Sequence, residues 1–199
     1  MIKLIAGIIF ALVLALGLWF GWYLTQKGAN FDIVEGSGQS EEDQDILKGR
    51  FFLITIPKGW REAIPPAGAH TMLVNVDEFH DDPAFQQINF KTYITITPDS
   101  KESRGNEGYI EYVQTNLTEA SGFTFVEEGY GSTDETDYYQ MRAELNQNNI
   151  DFVVGIVLYF EENTDRVWVV TLNTAKSKWE EYKGLWQDVI DSFTIRKYS

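Results

Sequence analysis

No charged side chain interrupts the run from Leu4 to Leu24, LIAGIIFALVLALGLWFGWYL, and a stretch this long and this apolar has no place in the core of a small water-soluble domain. Wound as an α-helix rising about 1.5 Å per residue, it is roughly 31 Å long, which matches the hydrocarbon thickness of a bilayer. We therefore read it as a single membrane span. The competing reading is a cleaved signal peptide, whose apolar region is usually about 7–15 residues and ends in a small-x-small site, which Ala15-Leu16-Gly17 imitates. Cleavage there would expose Leu18-Trp19-Phe20 as an adhesive new terminus, so length and flanks favour retention. Trp19, Trp22 and Tyr23 gather at one end, as an interfacial aromatic belt does. Lys3 precedes the run and Lys27 follows it, so charge asymmetry says little about orientation. The short leading tail favours a domain on the outer side. Gly17 and Gly21 have the G-x-x-x-G spacing that lets two membrane helices approach, and they are the candidate helix contacts, although glycine is common in such helices without pairing.

The span organises the rest into residues 1–25 as anchor, 26–48 as an acidic linker and 49–199 as one soluble domain of ordinary size. Gly36-Ser37-Gly38 and the Glu41-Glu42-Asp43 run give the linker flexibility and self-repulsion. Hydrophobic residues make up 44 % of the chain, with 6 Trp, 10 Tyr and 13 Phe, which is ample for a folded core. The formal net charge of −14 repels nucleic acid and anionic lipid headgroups alike, which argues against either as the main partner, and no nucleic acid is expected. With 0 cysteines there is no disulfide, thiolate nucleophile, Cys-ligated metal or lipid-modified cysteine. The span is then the only anchor visible in the sequence.

Within the domain, FFLITIP after Arg50 reads as a strand ended by Pro57, and TMLVNV (Thr71 to Val76) as a second. Residues Phe90 to Thr97 alternate apolar and polar side chains, the period of a third strand, with Pro98-Asp99 as its expected end. Tyr109, Ile110, Val113 and Leu117 recur at helical spacing and predict a helix over 106–117. Four strands are expected next, Phe123 to Tyr130, Tyr138 to Gln147, Ile150 to Glu161 and Arg166 to Thr174, with turns at Asn148-Asn149 and Glu162 to Asp165. The third of these contains FVVGIVLYF, apolar without alternation, which predicts an interior strand covered on both faces. Ser177-Lys178-Trp179-Glu180 fits a capping box, and beyond it Trp179, Tyr182, Leu185, Trp186, Val189, Ile190 and Phe193 form one broad apolar helix face. The order of elements gives an α+β domain, an antiparallel β-sheet covered by helices on its faces.

Two stretches, FFLITIPKGW at the opening and W-x-x-Y-x-x-x-W-x-x-V-I-x-S-F-T-I at the close, resemble the PsbP-like group across roughly residues 49–198. That resemblance implies the α/β/α sandwich the group shares with the Ran-binding protein Mog and with DcrB-type bacterial envelope proteins. It also implies a binding or assembly module, since members serve as photosystem II subunits, small-GTPase partners or anchored envelope proteins. No functional motif of a member can be matched residue by residue. Many bacterial relatives are lipoproteins, and this cysteine-free chain would use its span instead.

The search for chemistry finds no nucleophile–base motif, phosphate loop or dinucleotide fingerprint, and neither His70 nor His80 stands in a hydrolase or metalloprotease pattern, so no enzyme and no cofactor are expected. The nearest approach to a site is Asp77-Glu78-Phe79-His80-Asp81-Asp82. Asp77, Glu78, His80, Asp81 and Asp82 are candidate ligands for Ca²⁺, Mn²⁺ or Zn²⁺, and a solvated acidic loop explains the same residues. The sequence thus reads as a single-pass, extracytoplasmic binding or scaffolding domain at the cell membrane. It meets the bilayer through residues 4–24 and a protein partner in the membrane or envelope. A small-ligand or divalent-metal-binding envelope protein is the alternative.

Overall fold

The computed structural model describes residues 31–34, 46–147 and 149–196. The expected span, the Gly17/Gly21 pair and most of the linker lie outside them, and among the described residues no helix is long and apolar enough to cross a membrane. In chain order the elements are β1 (Ile46–Lys48), β2 (Phe52–Thr55), β3 (Trp60–Ala63), β4 (Thr71–Asn75), α1 (Pro83–Gln87), β5 (Tyr93–Ser100), α2 (Gly105–Ser121), β6 (Thr124–Ser132), β7 (Asp137–Gln147), β8 (Ile150–Phe160), β9 (Arg166–Ala175), α3 (Trp179–Ser192) and β10 (Thr194–Ile195). They build a seven-stranded antiparallel sheet, β3-β4-β5-β9-β8-β7-β6, and a small sheet, β1-β2-β10.

Every residue from Phe152 to Phe160 and from Val167 to Ala175 is buried. The pleat explains why both runs are apolar without a break. On β8, Val153, Val157 and Tyr159 pack with α3, while Val154, Ile156, Leu158 and Phe160 pack with Tyr109, Ile110, Val113 and Leu117 of α2. On β9, Trp168, Val170 and Leu172 turn to the α3 side, and Val167 and Val169 to the α2 side. The two helices therefore cover opposite faces, and a strand buried on both faces has no polar side to alternate with. Gly155 gives α3 room to approach the sheet, since a Cβ there would stand 2.7 Å from Trp186 Nε1. The small sheet shares the α3 side, where Phe52 stacks on Phe193 at 5.7 Å and meets the edge of Trp168 at 5.4 Å.

Four expectations need correction. Ile46–Lys48, read as the end of the linker, pairs with β2 as β1, a strand too short to show periodicity. The third strand starts at Tyr93 instead of Phe90, because the Thr92 amide is taken by the Glu78 side chain, and it runs through Pro98 to Ser100. β4 stops opposite Ile96, so Pro98 has a ladder partner on the β9 side alone, a position where a strand tolerates proline. Ser177 does not cap the last helix. β9 extends to Ala175, Lys176–Lys178 form a 3₁₀ turn, and Lys178 stands at the N-cap with no side-chain capping hydrogen bond, leaving Glu180 and Glu181 in the first turn to complement the helix dipole. In the expected turns, Asn149 and Asn163 take up left-handed backbone, with φ of 63° and 57°.

Candidate functional site

β4 delivers the chain to Asn75 at one end of the large sheet, and the acidic stretch follows as the connection to α1. Here hydrophobicity is inverted. Glu78 and His80 are buried, at 6 % and 4 % exposure, while Phe79 between them is 67 % exposed. A carboxylate leaves water only if protein donors replace it, and Glu78 is well supplied. Its Oε1 accepts from the Thr92 hydroxyl at 2.7 Å and the Tyr182 hydroxyl at 2.8 Å, and its Oε2 accepts from the Thr92 amide. His80 Nε2 lies 3.2 Å from Oε2, within ion-pair distance but out of line for a hydrogen bond. Thr92, having given its proton to Glu78, accepts from Thr174 at 2.8 Å. Asn75 Nδ2 donates to the Tyr182 oxygen at 2.8 Å. Burial by itself raises the Glu78 carboxyl pKa; His80, the Thr92 amide and hydroxyl, and Tyr182 together outweigh it and hold the carboxyl below its ordinary value. The Tyr182 hydroxyl is pushed up by burial and by the Glu78 charge beside it.

The main chain is pinned as firmly. The Lys91 ammonium donates to the Glu78 carbonyl and Gln86 Nε2 to the His80 carbonyl at 2.8 Å. The His80 ring stacks on Phe85 at 4.9 Å. With 78 and 80 fixed inward, residue 79 must point out. Asp77, Asp81 and Asp82 are exposed around it, and Asp82 caps α1 by accepting from the Ala84 amide at 2.8 Å, with Pro83 opening the helix. The structure thus brings Glu78 and His80 together and spreads the three aspartates over the surface. No group of three or more His, Cys, Asp or Glu side chains suited to a metal ion is found among the described residues. Thr92, Thr174, Tyr182 and Asn75 escaped sequence reasoning. Tyr182 read as core because its spacing is that of the apolar face of α3.

At the opposite end of the sheet a cleft of about 640 Å³ opens between turns, lined by Lys101, Asn106, Thr133, Glu135, Phe160 and Glu162 among others. Nearby, the buried Tyr109 hydroxyl donates to Asp99 Oδ2 at 2.6 Å, and the Ser100 amide to Oδ1 at 2.8 Å. Burial leads here, and the Asp99 carboxyl is pushed up. Asn116, which with Leu117 and Thr118 matches the N-glycosylation acceptor pattern, lies within α2 with its amide donating to the Tyr112 carbonyl at 2.6 Å.

No family model matches the chain, and no curated protein matches it in sequence. Solved structures do. LpqN, involved in cell envelope biogenesis of Mycobacterium tuberculosis, aligns at a TM-score of 0.58 with 13 % identity, over 85 % of this chain and 100 % of its own. The cyanobacterial PsbP of Synechocystis sp. aligns at 0.57 with 13 % identity, over 82 % of this chain and 98 % of its own. The Ran-binding protein Mog1p of Saccharomyces cerevisiae aligns at 0.51 with 14 % identity, over 77 % and 96 %. The domain is an antiparallel α+β domain. Its fold is the PsbP-like fold shared by these three proteins.

Proposed function

We propose that the chain is a membrane-anchored, extracytoplasmic binding or scaffolding domain of PsbP-like type without catalytic activity, and that its partner docks on the Asp77–Asp82 loop. One observation carries the docking site: Phe79 is held outward, 67 % exposed, between two buried neighbours. An aromatic ring fixed in this way loses little freedom on burial at an interface, and its rim of Asp77, Asp81 and Asp82 selects a partner with an apolar pocket edged by basic groups. The uncharged Leu4–Leu24 run supports the anchor. Among proteins of similar fold, one is a Ran-binding protein and another is involved in cell envelope biogenesis, which supports a role in binding.

The test places a photo-crosslinking amino acid at position 79 of the full chain in its own host, with a control at exposed Gln187 on α3. A single adduct unique to position 79, retained in membranes after alkaline washing, is expected. Equal adducts at both positions would sink the docking site, and release of the chain by the wash would sink the anchor. The small-ligand alternative draws support from the cleft of about 640 Å³. Calorimetry of the full chain in detergent with calcium and zinc, showing no heat above dilution, would remove its metal form.

A further inference from the structure

The two edges of the large sheet are treated differently. The β3 edge is covered by residues 32–34, with an Ile33–Ala63 bridge, the Val34 amide on the Glu62 carbonyl at 2.9 Å and the Ile64 amide on the Asp32 carbonyl at 2.9 Å. At the other edge, β6 pairs with β7 on its inner side and with no strand on its outer side among the described residues. The whole of Thr124–Ser132 is exposed or half-buried. Val126 is 44 % exposed and Tyr130 is 65 % exposed. Gly129 and Gly131 leave the backbone bare on one face, and a Cβ at Gly131 would stand 2.4 Å from the tip of the Tyr138 ring, which would have to move aside. Tyr130 is braced from behind by Tyr139, ring centroids 4.8 Å apart and edge to face.

Charge decides what such an edge accepts. Glu127 and Glu128 stand on the strand, and Asp134, Glu135 and Asp137 are exposed at the turn it leads into. Arg142 reaches Glu127 at 3.3 Å, and the Glu128 carboxylate takes neutral donors, the Gln114 amide and the Tyr139 hydroxyl. Two copies joined edge to edge would crowd these acids into one seam, on chains of net charge −14, so the edge is guarded against its own kind. A bulge at Val126 adds to that guard. Neither device repels a cationic strand.

We infer that the outer edge of β6 is a second docking surface, independent of the Phe79 loop, which takes an extended lysine- or arginine-bearing segment of another protein as an eighth strand. Backbone hydrogen bonds to β6 hold the segment, Val126 and Tyr130 offer apolar contacts, and the carboxylates set its sign. The probe is a capped Lys-Val-Lys-Val-Lys-Val-Lys peptide added to the full chain in detergent, read by hydrogen exchange of the β6 amides. Expected are saturable slowing of exchange over 124–132, loss of at least about tenfold in affinity in the Glu127→Lys/Glu128→Lys double variant, and weakening between about 50 and 500 mM salt. Phe79→Ala should leave it unchanged, so the two surfaces stand or fall separately. Equal binding of the Glu-Val counterpart, slowing centred on another strand, no slowing at saturation, or β6 protection by dimerisation without peptide would each overturn the proposal.

Discussion

The buried Glu78 and the half-buried Asp99 are carboxylates that accept from a tyrosine hydroxyl, at 2.8 and 2.6 Å, yet their acidities move in opposite directions. The difference is in what else reaches them. Glu78 also has two donors from Thr92 and the His80 ring nearby, enough to overcome burial. Burial prevails at Asp99, where the only further hydrogen bond is from its neighbour's amide and the charges of Glu102 and Arg104 oppose each other. Donor count, more than depth, decides whether an enclosed carboxylate is comfortable with its charge.

The contrast can be broken at several points. Glu78→Ala strands the Thr92 amide, the Tyr182 hydroxyl and His80 in a buried site, and denaturant unfolding should show a loss of about 3 kcal/mol or more. The pH dependence follows in sign. A carboxyl held low in the folded state contributes stability that is present above its unfolded pKa and is lost as pH falls through the folded value, so unfolding midpoints should drop below about pH 4. Glu78→Gln should flatten that acid limb. Tyr182→Phe removes one donor at a cost of about 1 kcal/mol and should let the Glu78 carboxyl climb towards its ordinary value, visible in side-chain NMR titration. The smallest effect belongs to Asp99→Asn. A carboxyl pushed up favours folding below its unfolded pKa and opposes it as pH rises through the folded value, so near neutrality this change should be neutral or slightly stabilising. A large loss there would show that Asp99 matters as Glu78 does.

How far the sequence speaks depends on where the deciding partners lie. β8, β9 and the apolar face of α3 were legible because burial is written into each run itself. β3, Trp-Arg-Glu-Ala, was not, since only its two ends are buried and its pairing with β4 makes it a strand. The acidic stretch was noticed for its density of carboxylates, but which of them turn inward depends on Thr92 and Tyr182, 14 and 104 residues away. Local pattern rules would bury Phe79 and expose its neighbours, and the structure does the reverse. The resemblance carried in FFLITIPKGW and the closing aromatic helix rested on core packing, and for that reason it reached the fold and stopped short of the site.

The pairing of β2 with β10, Leu53 opposite Thr194 and Phe52 opposite Ile195, gives the domain a timetable. On a ribosome, Phe52–Thr55 emerges before its partner and must wait, apolar and incompletely paired, until Thr194–Ile195 has been made more than a hundred residues later. The Phe52–Phe193 stack and the Arg196 amide on the Phe51 carbonyl at 2.9 Å close at that moment. This clasp ties completion of the small sheet to synthesis of the whole stretch between its strands, an interval in which a chaperone can occupy the place that β10 will take.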